Sequence, residues 1–304
     1  MREQLLAPFL RTPRRTGNVM HTVSIATVPL IASAVWRFGM AAVWVIALAL
    51  LSCFVTDRIC RRLRKGTWSA GDGSATVTAL LLALSLPAGT PPVAVIVGSV
   101  FAIAVAKELF GGIGRNLFNP AMAARAFLMV TYPQTMQGYA LPDAVTTATP
   151  LQTGGTVLSM LFGQENGSIG ETSVLLILLG GGYLLTQGVI RWQIPFVSLW
   201  SFALTVWIGG GDGWLTGDAV THTLSGGLMF AVFFIATDYT TKPATPRGEW
   251  IYAVLFGVLT ALIRLYGRYP EGVCFSTLTA NMLTPLIERL TRPRVYGTKK
   301  RGIG

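Results

Sequence analysis

The chain has 304 residues, of which 52% are hydrophobic and only 12% are charged. A soluble protein of this length needs more charge to cover its surface, so the composition indicates that lipid surrounds most of the chain. The net charge of +11 would indicate a nucleic-acid partner in a soluble protein, but the placement of the charges, described below, excludes that class. Three cysteines, Cys53, Cys60 and Cys274, form no CxxC pair, so no pattern typical of an iron–sulfur or zinc site is present.

Ten apolar segments follow a basic N-terminal stretch. Residues 1–18 lack the apolar core of a signal peptide and are predicted to lie in the cytoplasm. A helix needs about 20 apolar residues to cross a bilayer, or fewer where neighbouring helices shield it. The sequence therefore predicts an all-α integral membrane protein, with a transmembrane helical domain at 19–290 and a basic cytoplasmic tail at 291–304. The predicted segments are 19–38, 40–57, 74–87, 91–108, 119–132, 171–189, 194–209, 219–236, 250–266 and 271–290.

The third and fifth segments are short and bounded by glycine or proline. Short, interrupted segments are typical of broken helices whose ends line a site inside a bundle. Asn119-Pro120 begins the fifth segment and NMLTP (281–285) lies in the tenth. These two patterns favour a division of the ten segments into two inverted five-helix repeats.

The basic residues predict the orientation. If the N-terminus is cytoplasmic and the segments alternate, most of the 24 Lys and Arg residues fall on the cytoplasmic side, as membrane proteins generally require. The opposite side keeps acidic residues and few bases. Both termini are therefore predicted to be cytoplasmic and loop 133–170 to face outward. The basic charge reflects this topology, so no nucleic acid is expected as a partner.

Polar residues at the segment ends are the candidate site residues. In KELFGGIGRNLFNPAMAARAF (107–127), Gly111 and Gly112 let the backbone approach a ligand, and Asn116 and Asn119 precede a helix start that attracts anionic or carbonyl-rich groups. Close packing of helix ends is the alternative. Arg125 lies within the next helix, where a charge needs an internal partner or ligand. Carboxylates at segment ends mark either the lipid boundary or, where hydroxyls accompany them, a site for a hard cation such as sodium; they are Asp57, Glu108, Glu171, Asp238 and Glu288.

The outward stretch DAVTTATPLQ (143–152) is unusually rich in threonine. No histidine lies nearby to activate a hydroxyl, so hydrolase chemistry is not predicted. From its residues alone, this stretch is an ordinary polar loop with Pro142 and Pro150 as turn residues.

Four blocks resemble two related membrane subunits: KELFGGIGRNLFNPAMAARAFLMVTYP, GSIGETSVLLILLGGGYLL, FFIATDYTTKPATPRG and LIRLYGRYPEGVCFSTLTANMLTPLIERLTRPRVYG. These are the D subunit of the Rnf ferredoxin–NAD oxidoreductase and the B subunit of the sodium-pumping NADH–quinone reductase. The resemblance covers nearly the whole chain after residue 19. It implies ten helices in two inverted halves, in a bacterial or archaeal cytoplasmic (inner) membrane. The short N-terminal stretch and the tail LTRPRVYG favour the Rnf subunit.

The resemblance also implies FMN joined through a phosphoester to a threonine. The family motif is D-x-x-[ST]-x-[AS]-T, read by a dedicated flavin transferase, and Asp143, Thr146, Ala148 and Thr149 occupy its places. Thr146 and Thr147 replace the commoner Ser and Gly. The threonine cluster is therefore predicted to anchor FMN on Thr149 at the outer face.

Further expectations follow from the same resemblance. It implies a second, non-covalent flavin (riboflavin in the quinone-reductase relative) near Asn116 and Asn119, and a sodium path along Asp57, Glu171, Asp238 and Glu288. Electrons are expected to arrive from a flavin on a partner subunit at the outer face. A transporter of the inverted-repeat kind with no redox role is the alternative, and the motif that ends at Thr149 distinguishes the two.

Overall fold

The computed structural model describes residues 16–65, 72–137, 157–163, 167–211, 213–225, 227–267 and 272–292. Within these residues the secondary structure is helical, with no strand. The helices are α1 (Thr16–Ala26), α2 (Val28–Phe38), α3 (Met40–Lys65), α4 (Ser74–Ser85), α5 (Pro92–Val100, continuing as a π-helix over Phe101–Glu108), α6 (Pro120–Thr131), α7 (Pro133–Gln137), α8 (Val157–Phe162), α9 (Val174–Thr186), α10 (Gln193–Gly209), α11 (Ala219–Leu224), α12 (Leu228–Phe230, continuing as a π-helix over Ala231–Ile235), α13 (Pro246–Tyr266) and α14 (Val273–Thr291).

The described residues form both long and short apolar helices and no strand, which confirms the predicted all-α class. Among the residues that the structure describes, three stretches are long and apolar enough to cross a membrane by length and composition: Thr16–Phe38, Met40–Arg64 and Pro246–Tyr266. At 1.5 Å per residue, the 12 residues of α4 or of α6 extend about 18 Å. This is less than the hydrocarbon thickness of about 30 Å, so these two helices lie inside the bundle as short pieces.

Two predicted segments, 40–57 and 219–236, differ from the helices of the structure. The sequence predicts a helix end at Asp57, but α3 continues to Lys65. Asp57 lies one turn before Arg61 and pairs with it at 2.7 Å, an i,i+4 contact that supports the helix beyond the apolar run. The predicted segment 219–236 is not one helix, because α11 ends at Leu224 and α12 begins at Leu228.

Helix α4 lies at the centre of the core. Ten of its 12 residues are buried, as expected for a helix that is apolar on all sides. The backbone N–H groups of Ile169 and Gly170 donate to the carbonyls of Leu86 (3.0 Å) and Leu84 (2.7 Å). A Cβ on Gly170 would lie 2.7 Å from the Cβ of Leu84, so only glycine allows this approach. The segment before α9 thus covers the C-terminal end of α4.

The helices pack in a similar order in the two parts of the chain. Helix α3 packs on α4 and α5, and the π-helical end of α5 packs on α6. Farther along the chain, α10 packs on α13, and α13 packs on α14. Helices α6 and α14 contact each other and join the two groups. Two clusters of buried polar side chains lie near the two ends of α4.

Candidate functional site

A small cavity of about 40 Å³, partly open to solvent, lies at the N-terminal end of α4. Its walls are largely apolar, and its polar lining comes from α4, from the end of α5, from the start of α6 and from the segment after α12. Both α4 and α6 begin at this cavity, so the backbone N–H groups of their first turns face the same end of the bundle. The polar lining residues are Ser74, Thr78, Lys107, Asn116, Asn119, Asp238 and Thr240.

The carboxylate of Asp238 and the amide of Asn119 are bonded to each other at this cavity. Asn119 caps α6, because its Oδ1 accepts from the N–H groups of Ala121 (3.0 Å) and Met122 (3.3 Å). Its Nδ2 donates to Asp238 at 3.0 Å. The N–H of Thr240 donates to the other oxygen of Asp238 at 3.2 Å. The structure therefore brings together a predicted flavin contact and a predicted ion-path carboxylate.

Asn116 holds the loop that leads into α6. Its Oδ1 accepts from the N–H of Gly114 (3.2 Å), and its Nδ2 donates to the carbonyl of Phe118 (3.1 Å) and to the hydroxyl of Thr240 (3.3 Å). Because Thr240 also bonds Asp238, the two predicted asparagines and the carboxylate form one hydrogen-bonded group. Both asparagine amides are engaged within the protein, so they shape the cavity wall.

A buried charge network lies beside the cavity. Lys107, which is 2% exposed, donates to Asp57 at 2.8 Å, and Arg61 bonds the other oxygen of that carboxylate. Arg61 also reaches Asp72 at 3.1 Å. Burial acts to raise the pKa of Asp72, but hydrogen bonds from Ser74 and the charges of Lys107 and Arg61 outweigh it and lower the pKa to about 2. Asp57 is thus a member of an ion-pair network and does not mark a helix boundary.

The two predicted cofactor-binding glycines lie in the loop after α5. Gly112 has a φ of +91°, and a Cβ there would lie 3.1 Å from the guanidinium of Arg64 and 3.4 Å from the carboxylate of Glu108. Arg64 and Glu108 pair at 3.2 Å, so Gly112 lets the loop cross this ion pair. Gly111, with a φ of +108°, lies against the side chain of Arg115. Both glycines make the close approach that the sequence predicts, and the groups approached are side chains of the protein.

The C-terminal end of α4 carries a second buried cluster. Arg125 of α6 pairs with Glu171 at 2.9 Å, and its guanidinium lies 3.4 Å from the hydroxyl of Ser168. Ser168 also donates to Glu171. Each of the two charged side chains is less than 5% exposed. The prediction that Arg125 needs an internal partner is confirmed, and the partner is a predicted ion-path residue.

The remaining predicted residues lie elsewhere. Glu288 of α14 accepts from the N–H of Ala244 at 2.8 Å and so anchors the loop that follows Asp238. The motif residues Asp143, Thr146, Ala148 and Thr149 lie outside the residues that the structure describes. Sequence reasoning missed Lys107 and Arg264, both of them charges within predicted spans. That position alone was the available signal, since intramembrane charges are costly and are usually functional or paired.

Comparisons with known proteins match almost the whole chain. Residues 5–297 match the model of the NQR2, RnfD, RnfE family. The D subunit of the Na(+)-translocating ferredoxin:NAD(+) oxidoreductase complex of Acetobacterium woodii is 42% identical, over 97% of this chain and 95% of its own. The counterpart from the proton-translocating complex of Clostridium ljungdahlii is 41% identical, over 97% and 96%. The D subunit of the ion-translocating oxidoreductase complex of Aeromonas salmonicida is 37% identical, over 97% and 98%.

Proposed function

This chain belongs to the NQR2, RnfD, RnfE family, and from that premise we propose that it is the D subunit of an Rnf-type, ion-translocating ferredoxin:NAD oxidoreductase complex. The observation that carries the proposal is the near-complete coverage of subunits with that name, at 42% and 41% identity. On this proposal the chain is a multi-pass membrane protein that passes electrons between partner subunits and is not catalytic in isolation.

The proposed electron carrier is FMN, attached covalently to Thr149. A bound flavin takes up and releases electrons, while the protein supplies its position and surroundings. The hydroxyl of Thr149 supplies the oxygen of the phosphoester, and Asp143, Thr146 and Ala148 form the flank that the transferase recognises. The support is the motif itself together with family membership, since residues 138–156 lie outside the described part of the chain.

Replacement of Thr149 tests this attachment. We expect Thr149→Ala to abolish the flavin fluorescence of this subunit's band on a denaturing gel under ultraviolet light, because alanine has no hydroxyl. The matched control Thr147→Ala should retain at least part of the fluorescence. Assembly should be largely unchanged, because surface loops contribute little folding energy. A band that stays bright in Thr149→Ala and goes dark in Thr147→Ala would place the flavin on Thr147.

The cavity at the N-terminal end of α4 is the proposed place of a second, non-covalent flavin. Its lining is mostly apolar with a few fixed polar groups, as in small-molecule sites, but its volume of about 40 Å³ is smaller than such sites, so a flavin would need the lining residues to move apart. Met20, Val77 and Leu81 supply apolar walls, while Asn119 and Asp238 fix the polar end. On this proposal the polar residues would hold the edge of the ring, and the apolar residues would exclude water.

The same polar end is the proposed start of the ion path, with Asp238 as its first carboxylate. Asp238→Ala should lower ion uptake by reconstituted complexes more than it lowers flavin content, because the carboxylate serves the ion. Uptake of sodium and of protons would be measured with reduced ferredoxin and NAD⁺ as substrates. Asp218→Ala is the control, because Asp218 only caps the short helix α11. Normal uptake in Asp238→Ala would return this residue to a structural role.

The proposed topology has ten spans in two inverted five-helix halves, with both termini in the cytoplasm. It is supported by the similar packing order of α3, α5 and α6 and of α10, α13 and α14. The excess of basic residues on one side supports the orientation in the cytoplasmic membrane. A flavin-bearing subunit on the outer face is the proposed electron donor.

Two other functions give different outcomes. A B-type subunit of a sodium-translocating NADH:quinone reductase would also carry flavin on Thr149, but its complex would reduce quinone. A non-redox transporter has no use for a flavin-transferase target. Absence of fluorescence from the unaltered subunit, co-expressed with a transferase, would favour the transporter.

A further inference from the structure

Helices α10 and α13 form a tight pair at one side of the molecule. Gly257 of α13 meets the backbone of α10, where a Cβ would lie 3.0 Å from the N–H nitrogen of Phe202. Ser198 donates to the carbonyl of Ala253 at 3.1 Å and ties the two helices together. The inner face of the pair is therefore fully packed. Its outer face exposes large apolar side chains, which include Phe196, Trp200, Ile251, Val254 and Leu262.

Aromatic side chains form a row at one end of this pair. Trp192, next to the start of α10, and Trp250, in the first turns of α13, meet edge to face with ring centroids 5.9 Å apart. Both rings are about half exposed. Arg191 and Glu249, the residues just before them, pair at 3.3 Å. At this end of the pair, a charged residue directly precedes an aromatic one, in Arg191-Trp192 before α10 and in Glu249-Trp250 of α13.

A second aromatic row lies at the other end of the pair. Trp207 and Tyr266 occupy the last turns of α10 and α13, and Trp214 lies in the loop that follows α10. Tyr266 is 74% exposed and Trp214 is 87% exposed. The hydroxyl of Tyr266 donates to the carbonyl of Gly209 at 3.4 Å, so the ends of the two helices are joined at this level.

The two rows are separated by a band that carries no exposed charge. Helix α10 has no charged residue, and the one charged side chain of α13 between Trp250 and Tyr266 is Arg264, which is 7% exposed. Trp192 and Trp207 are 15 positions apart, and Trp250 and Tyr266 are 16 apart, which corresponds to about 22 Å and about 24 Å along a helix. The hydrocarbon core of a bilayer is about 30 Å thick, and a bilayer thins locally around an apolar helix stretch that is a few ångströms shorter.

We propose that the outer face of α10 and α13 contacts lipid in the assembled complex, with the two aromatic rows at the two membrane–water interfaces. Trp and Tyr are enriched at such interfaces because one end of the ring is apolar and the other is wet. The partner subunits then bind other faces of the molecule.

Photo-crosslinking in the complete complex tests this assignment. The benzophenone amino acid p-benzoylphenylalanine would replace Phe196, Trp200 or Val254, all exposed positions between the rows. Trp200 is the most stringent of them, because tryptophan is also common in protein interfaces. Native gel electrophoresis of each variant confirms that the complex is intact. Irradiation in native membranes should then give lipid adducts, seen by mass spectrometry of the subunit, and no conjugate with another subunit.

Benzophenone inserts into any neighbouring C–H bond, so each position reports whether lipid or protein lies beside it. A conjugate with a partner subunit at any of the three positions would overturn the proposal. A position that gives neither a lipid adduct nor a conjugate does not face lipid and would also contradict it. The result does not depend on flavin, so failure here leaves the proposed electron-transfer function unaffected.

Discussion

Asn119 combines two tasks in one side chain. Its oxygen caps α6, and its nitrogen bonds Asp238, so the amide is held from both sides. An N-cap of this kind contributes about 1 kcal/mol to helix stability, and a hydrogen bond to a charged group contributes about 1.5–3 kcal/mol. The same two bonds fix the polar end of the cavity. Any change at Asn119 therefore alters stability and the site together.

Exchange of the two side chains separates these tasks. Asn119→Asp alone keeps an oxygen for the helix cap but places two carboxylates about 3 Å apart, so we expect a lower melting temperature and less non-covalent flavin. The double variant Asn119→Asp with Asp238→Asn restores one amide and one carboxylate. It should recover most of the melting temperature lost in the single variant. Thermal unfolding of the purified complex and chromatography of the extracted flavin give the two readouts.

A melting temperature that does not recover in the double variant would contradict this account. If it melted no higher than Asn119→Asp, the contact between the two side chains would not be the source of the effect. Ion uptake should stay low in the double variant even when stability returns, because position 238 no longer carries the carboxylate. Stability and ion transport are thereby read independently.

Breaks in helices leave backbone carbonyls that need donors, and the break between α11 and α12 is served by Arg264. Its guanidinium donates to the carbonyls of His222 and Ser225, the latter at 3.3 Å. It also lies 4.9 Å from the ring centroid of Phe202, a cation–π distance. One buried cation on a long helix thus stabilises the end of a short one.

Replacement of Arg264 should destabilise this broken helix. Arg264→Gln shortens the side chain and removes its charge, and each carbonyl left without a donor costs about 1–3 kcal/mol. The melting temperature of the complex should fall clearly, with faster proteolysis near residues 219–230. Arg289→Gln is the control, because Arg289 is exposed at the end of α14, and exposed changes are usually within about 0.5 kcal/mol. Equal melting temperatures for the two variants would show that the buried arginine is not needed at the break.

Local sequence patterns explain which helices could be predicted from the sequence. Glycine and proline mark the ends of α4 and α6, so the short helices could be predicted from the sequence. The run RICRRLRK after Asp57 is charged and reads as a loop, yet it is helical because Arg61 and Asp57 pair within the helix. Gly226-Gly227 is a local signal for the break between α11 and α12. The donor that serves this break, Arg264, could not be predicted, since it lies 39 positions away from Ser225.

The contacts between side chains in the candidate site also could not be predicted from local sequence patterns. Asn119 and Asp238 were predicted separately, one as a cofactor contact and one as an ion-path residue. Their bond joins positions 119 residues apart, and no local pattern contains such a pairing. Likewise, Arg125 was expected to need a partner, but the identity of Glu171 as that partner follows only from the folded chain. Residue type and position indicate that a group needs a contact, whereas tertiary packing decides which one.

At the scale of the whole molecule, α9 joins the N-terminal helices α1 and α2 to α12. Three successive glycines, Gly180, Gly181 and Gly182, lie along it. A Cβ on Gly180 would lie 2.5 Å from the carbonyl oxygen of Ala26, at the break between α1 and α2, and 2.8 Å from the ring of Phe234. A Cβ on Gly181 would overlap the ring of Phe233. Small residues at such crossings let helices approach closely within a membrane.

The three glycines therefore provide a matched series for the last prediction. Gly180→Ala and Gly181→Ala should each lower the melting temperature of the complex, because overpacking a tight contact costs about 1–3 kcal/mol. Gly182→Ala should be neutral or slightly stabilising, because no atom lies within 4 Å of its added Cβ and alanine favours a helix by about 1 kcal/mol over glycine. Since all three changes add the same methyl group to the same helix, a difference between them measures tertiary contact alone. If Gly182→Ala were as harmful as Gly180→Ala, intrinsic effects on α9 would explain the loss of stability, and the close crossing of α9 with the break between α1 and α2 would not be its source.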